Sequence, residues 1–284
     1  MTRSCQLNCL GCLTFSNHNK VKGHTDIRSA GPWIKHWGER LLANTVHLFG
    51  GEPFMHPELL DWVVVVHNNF CRNRKQLKGL VIQTNGIKLE SIDIELLKTL
   101  IFSYNVRINI SVHSTEPKYK EIIDKAVIKL QSLLPNGEWR PDDAISKSWV
   151  DGNHSFRITD QSKEYWVNHY NGHGSTLMPG WEFDNEKYVE NHSFCEAKPF
   201  IQLYEGKLYK CPPMAVLADT LSKYDYPNKE HWAPWLDYEP LTMDADLDKC
   251  QEWLKIQASP ERYCNMCFGG EKNYKEHTIK IKSE

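Results

Sequence analysis

The chain has 284 residues, 40% of them hydrophobic, and a formal net charge of −2. That is enough for one large domain or for a barrel with a small appendage, and no basic block marks a nucleic-acid surface. The longest apolar run, Trp62 to Val66, is too short to span a bilayer, and no apolar segment near Met1 resembles a signal peptide, so a cytoplasmic location is expected.

Thr45 to Phe49 reads as a buried strand running into Gly50-Gly51-Glu52-Pro53. A helix is expected over 57–70, with Leu59, Leu60, Val63, Val64 and Val66 inward. Leu80 to Gln83 is a second strand, stopped by Thr84-Asn85-Gly86, and Ile92 to Phe102 a second helix. Residues 107–114 alternate, Ile108, Ile110 and Val112 against Asn109, Ser111 and His113. Tyr119, Ile122, Ile123, Ala126, Val127, Leu130 and Leu134 mark one helix face. Phe156 to Thr159 is a further strand, inside a stretch, 136–194, that otherwise reads as irregular connections. Residues 200–210 read as a hairpin turning at Glu205-Gly206, and Asp244 to Gln257 as a helix.

Strands alternating with helices predict an α/β fold with a parallel sheet. A parallel strand covered by helices on both faces is apolar on both. The polar side of 107–114 therefore suits a barrel whose lumen holds a polar ligand.

Nine cysteines are many for a reducing compartment, where clustered thiols indicate metal ligation or catalysis more than disulfides. Cys5-x3-Cys9-x2-Cys12 puts three thiolates on one short loop. Three thiolates on a cubane leave one iron able to chelate a small molecule through an amine and a carboxylate. A structural zinc site is the alternative, with His18 as a fourth ligand. In Gly50-Gly51-Glu52-Pro53 the glycines allow close backbone approach to a ligand, and Glu52 can accept hydrogen bonds from an ammonium group. A tight turn capping the next helix is the alternative there.

Together the two motifs resemble the radical S-adenosylmethionine (radical SAM) superfamily over roughly residues 2 to 160. The resemblance implies a partial (β/α)6 barrel over 1–190, a [4Fe–4S] cluster on Cys5, Cys9 and Cys12, and S-adenosylmethionine held by Gly50, Gly51, Glu52 and Pro53. Ser111 and His113 become candidates for its ribose or carboxylate, and Asn85 a weaker one. Ordinary polar lumen residues remain the alternative for all three. Gly11 stands where many members have an aromatic. Only Met1 to Ser4 precede Cys5, so the first strand is expected to be short or missing, or the chain truncated there.

Cys195 and Cys211 flank the hairpin, and Cys264/Cys267 form a CxxC after the last helix. The arrangement resembles the twitch extension, a shortened relative of the SPASM domain. That resemblance implies a small α+β domain over 191–284 with a second, fully ligated [4Fe–4S] cluster on these four thiols. A four-cysteine zinc site is the alternative. Cys250 is expected to be packed or spare and Cys71 structural. His47 is expected to be a core residue, the aromatics of 165–183 packing, and Lys198, Lys207 and Lys210 a solvated hairpin face.

The implied activity is reductive cleavage of S-adenosylmethionine to a 5′-deoxyadenosyl radical that takes a hydrogen atom from a substrate, with net oxidation or bond formation helped by the auxiliary cluster. The substrate is expected to be a small molecule or a partner-delivered peptide, since no leader-binding domain is visible, and the electron donor a flavodoxin or ferredoxin. The alternatives are an activase that installs a glycyl radical, disfavoured by the late position of the extra cysteines, and a non-catalytic two-site zinc protein.

Overall fold

β-Branched and aliphatic residues form the first strands of the sheet, with Leu80, Val81 and Ile82 buried in succession, as expected of a parallel strand covered on both faces, and helices return the chain between them. The computed structural model describes residues 1–9, 12–18, 20–71, 79–162, 187–193, 195, 197–223 and 232–266. It divides into two compact units. The described residues of the first are 1–6, 23–71 and 79–162. Those of the second fall within 7–22 and 187–266.

In the first unit, helix α1 (Ile27–Arg40) precedes strand β1 (Thr45–Leu48), helix α2 (Leu59–Val66) and strand β2 (Gly79–Thr84). Helix α3 (Ile94–Lys98), strand β3 (Val106–Val112) and helix α4 (Pro117–Leu133) follow, then strands β4 (Glu138–Pro141), β5 (Ser146–Asp151) and β6 (His154–Asp160). The strand order is β1-β2-β3-β6-β5-β4. β1, β2, β3 and β6 run parallel, while β4 and β5 are antiparallel additions. This parallel-dominated six-strand sheet is consistent with a partial radical SAM barrel.

Ile108 and Ile110 of β3 are fully buried. A Cβ added at Gly86 would strike Ile123 of α4 and Ile110, so α4 fills that side of the sheet. Asn109 and Ser111 occupy the opposite side, as the alternation predicts, yet both are buried as well.

Three readings change. The helix expected over 57–70 is regular only over α2, with a widened turn at His67–Cys71; Trp62 packs inward while Leu60 and Val64 are half-buried. The helix expected over 92–102 is likewise short, α3 passing into a widened turn at Thr99–Ser103. And 138–160, read as mostly irregular, is a meander. Trp139, Trp149 and Phe156 pack together across it, and the hairpin Asp151–His154 turns on Gly152 at φ 56°. Asp-Gly between strands is a hairpin signal, and it stands in the sequence.

In the second unit, helix α5 (Tyr188–Ser193) precedes strands β7 (Gln202–Tyr204) and β8 (Lys207–Tyr209), and helices α6 (Pro212–Ser222), α7 (Ala233–Leu236) and α8 (Leu247–Gln257) follow. β7 and β8 form the expected hairpin, with Glu205 and Gly206 both at positive φ. Phe15, Met214, Leu217, Leu221, Trp232 and Trp235 are buried together. Among the described residues no helix is long and apolar enough to cross a membrane.

Candidate functional site

The residues before Cys5 pair with the end of β1. Thr2 bridges Gly50 in parallel; the Gly51 N–H donates to Thr2 O and the Glu52 N–H to Ser4 O, each at 2.8 Å. A Cβ on Gly50 would lie 2.2 Å from Thr2 O, and one on Gly51 2.1 Å from Ser4 O. Here the glycines admit the chain's own backbone.

That pairing delivers Glu52 into the interior, with 0% of its surface exposed. Its Oε1 accepts from the Phe54 N–H at 3.1 Å and Thr84 Oγ1 at 2.7 Å, and its Oε2 from the Asn85 N–H at 2.9 Å. Burial pushes its carboxyl up to about 7, and the three donors hold it from rising further. The carboxylate thus fixes the turn after β2 to the turn after β1.

Asn85 carries the network on. Its Oδ1 accepts from Gln6 Nε2 at 3.2 Å, and its Nδ2 donates to Cys5 Sγ at 3.6 Å. Tyr119 of α4 closes the set: its Oη lies 2.8 Å from Asn85 O and 3.2 Å from Ser111 O, and it accepts the His113 N–H at 3.3 Å. Ser111 Oγ accepts from Gln83 Nε2 at 2.5 Å. Pro53 begins the short turn that Glu52 caps. Cys5, Gly50, Gly51, Glu52, Pro53, Asn85, Ser111 and His113 therefore belong to one connected region of the first unit. Sequence reasoning missed Gln6, Gln83, Thr84 and the polar role of Tyr119. Thr84 had a signal, as the residue beside Asn85 in a strand-ending turn; Gln6 had none.

Cys9 and Cys12 fall in the second unit. Cys9 is buried, and Cys12 Sγ lies 3.4 Å from Thr14 Oγ1. His18 is buried too.

The later cysteines gather within the second unit. Cys211 is the N-cap of α6 without a side-chain cap hydrogen bond, and its carbonyl accepts the Ala215 N–H at 3.2 Å. Burial pushes its thiol up to about 12, and the nearby charges of Cys195 and Cys264 add to the rise. Burial raises Cys264 as well. Asn191 Nδ2 donates to Cys264 O at 3.1 Å. Among the described residues no three Cys, His, Asp or Glu side chains stand as a ready-made metal cage, and Cys267, like the aromatic region 165–183, lies outside the described residues. Cys250 is buried on α8 and Cys71 half-buried, its thiol pushed up to about 11 by burial.

Lys210 departs from the solvated reading. It is only 6% exposed, and its ammonium donates to Gln257 O and Ser259 O and pairs with Glu261 at 2.8 Å. Those three partners use all its protons. They tie the end of β8, next to Cys211, to the segment whose Glu261 O accepts the Cys264 N–H at 2.8 Å.

The first unit is thus an α/β domain with a parallel-dominated sheet, a cysteine beside its strand ends and a buried glutamate after β1. Compared with models of protein families, residues 1–130 match the radical SAM superfamily. That segment is a radical SAM domain, the domain of enzymes that use a [4Fe–4S] cluster and S-adenosylmethionine. The comparison with curated proteins gave no match.

Proposed function

We propose that Cys5, Cys9 and Cys12 ligate the [4Fe–4S] cluster of the radical SAM domain and that the chain catalyses hydrogen-atom abstraction from a small molecule or a delivered peptide. The observation that carries this reading is the joint presence, within the matched residues 1–130, of the three-cysteine loop and the Gly50–Pro53 turn. The donor set fits the group: iron–sulfur clusters take thiolate ligands and are tuned by hydrogen bonds to sulfur, and Asn85 aims an amide N–H at Cys5 Sγ. When bound, the cluster supplies the electron that cleaves S-adenosylmethionine into methionine and the 5′-deoxyadenosyl radical.

This chain's residues do the rest by positioning. Glu52 holds Asn85, and Asn85 holds Cys5. The backbone of the Gly50, Gly51, Glu52 and Pro53 turn is assigned to the ammonium end of S-adenosylmethionine, since the Glu52 carboxylate is fully buried, and Ser111 and His113 to its ribose or carboxylate. The polar face of β3 faces the reacting molecules, and α4 seals the other side against water.

A second cluster on Cys195, Cys211, Cys264 and Cys267, in a twitch-like domain over 191–284, is part of the same proposal. Its support is that Cys195, Cys211 and Cys264 belong to one unit, where the charges of Cys195 and Cys264 raise Cys211 and that of Cys195 raises Cys264. A thiol raised as far as Cys211 stays protonated at neutral pH unless a metal binds it. This cluster would accept an electron from the substrate radical, giving net oxidation or bond formation, with a flavodoxin or ferredoxin as donor to the first.

The test is anaerobic reconstitution, reduction with dithionite and incubation with S-adenosylmethionine. Release of 5′-deoxyadenosine is expected from the wild type and none from C9A. Iron analysis is expected to give about eight irons with sulfide in the wild type and about four in C211A. Zinc without sulfide, or release undiminished in C9A, refutes the proposal.

A further inference from the structure

The polar side of the sheet carries two arginines on neighbouring strands. Asn109 of β3 pairs in register with Arg157 of β6, and residues two apart on a strand share a face. Arg107, Asn109 and Arg157 therefore stand together on the side away from α4.

The two guanidinium groups are not equally provided for. Arg157 is ion-paired with Asp142 through Nε at 3.2 Å, without a hydrogen bond, and its Nη2 donates to Asp143 at 2.7 Å; Ser148 Oγ donates to Asp142 at 2.7 Å. Among the described residues the Arg107 side chain makes no hydrogen bond and no ion pair, and its Nε is shielded from solvent. Burial lowers the basicity of Arg107, the charge of Arg157 lowers it further, and only Asp142 opposes them. Two residues on, Asn109 is 5% exposed and its Oδ1 has no partner among the described residues. Its amide reaches only Gln83 Oε1, at 3.4 Å.

Arg107 is half-buried; a guanidinium nitrogen shielded from solvent without an acceptor costs stability, as does an unpaired buried carbonyl. A fork of donors and a lone acceptor on one strand face complement a ligand with an anionic group beside a hydrogen-bond donor. Asp142 and Asp143 already offset Arg157, so Arg107 offers one positive charge. That matches a carboxylate better than a dianionic phosphate.

We infer that Arg107 binds a carboxylate of the substrate and that Asn109 accepts a hydrogen bond from a hydroxyl or amine next to it. The word substrate rests on the radical SAM reading above; the carboxylate site itself does not. The substrate class is thus a hydroxy- or amino-carboxylate.

The test uses the full chain without cluster or S-adenosylmethionine, so its outcome is independent of the reaction. Thermal unfolding is followed with glycolate, inorganic phosphate or chloride at matched ionic strength. At about ten times its Kd, glycolate is expected to raise the wild-type midpoint by about 3 °C over chloride, more than phosphate does. R107M is expected to lose that rise and, without ligand, to melt no lower than the wild type, because the unpaired charge is gone. R107K, which keeps the charge but not the fork, is expected to give a reduced rise. The inference is overturned if R107M keeps the glycolate response, if the wild type shows none, if phosphate outperforms glycolate, or if ligand-free R107M melts several degrees lower.

Discussion

Replacing Gly51 by alanine tests the pairing that sets Cys5. The new Cβ would lie 2.1 Å from Ser4 O, 2.7 Å from Ser4 C and 3.0 Å from Arg3 C. Comfortable separations for such atoms are about 3.5 Å, and all three obstacles are backbone, which no rotamer change removes. Residues 2–4 must retreat by more than about 1 Å, breaking Gly51 N–H to Thr2 O and Glu52 N–H to Ser4 O. Two backbone hydrogen bonds are worth about 2 kcal/mol, and a donor left unpaired at the fully buried Glu52 adds at least about 1 kcal/mol. A loss of about 3 kcal/mol lowers the melting midpoint of a unit this size by roughly 6–12 °C. Calorimetry measures the shift, and iron analysis after reconstitution measures the displacement of Cys5. G31A is the control: Gly31 lies in α1 with nothing within 4 Å of an added Cβ, so a gain of up to about 1 kcal/mol is expected from helix propensity. A G51A protein that melts within about 2 °C of the wild type and binds full iron would refute the reasoning.

Two further outcomes follow from buried charges. Glu52 has its carboxyl raised from 4.5 to about 7, so the folded state binds its proton more tightly than the unfolded chain. Its contribution is most favourable below pH 4.5 and is lost as pH rises through 7, an effect of roughly 3 kcal/mol. Urea unfolding of the metal-free protein is expected to show this fall in the wild type and not in E52Q; a wild type minus E52Q difference independent of pH sinks the claim. K210M leaves two carbonyls and the Glu261 carboxylate without their ammonium and is expected to cost about 2–4 kcal/mol in the second unit. A double-mutant cycle with E261Q is expected to give a coupling above about 0.5 kcal/mol, and additivity removes the ion pair from the account.

The parts of the fold legible in the sequence are those with an unambiguous period. β3 alternates apolar and polar residues, α4 repeats its apolar face every three to four, and Glu205-Gly206 supplies the two positive φ angles of a tight hairpin. β4 and β5 were hidden because Trp139 and Trp149 occur among polar neighbours, and their burial depends on Phe156, outside either strand's own sequence. The site was legible as residue types and not as wiring. Gly50 and Gly51 stood out as positions without side chains, but what approaches them is fixed by where Thr2 and Ser4 lie. Lys210 looked like any hairpin lysine until Gln257, Ser259 and Glu261, far along the chain, converged on it.

The sheet does not close on itself among the described residues, so β4 is a rim. An open rim with bare amides is a template on which another chain can crystallise as a further strand. β4 is four residues long, carries Glu138 and Arg140, and ends in Pro141, which has no amide to offer. The seam that would otherwise invite fibre growth is thus blunted by charge and by one missing proton donor.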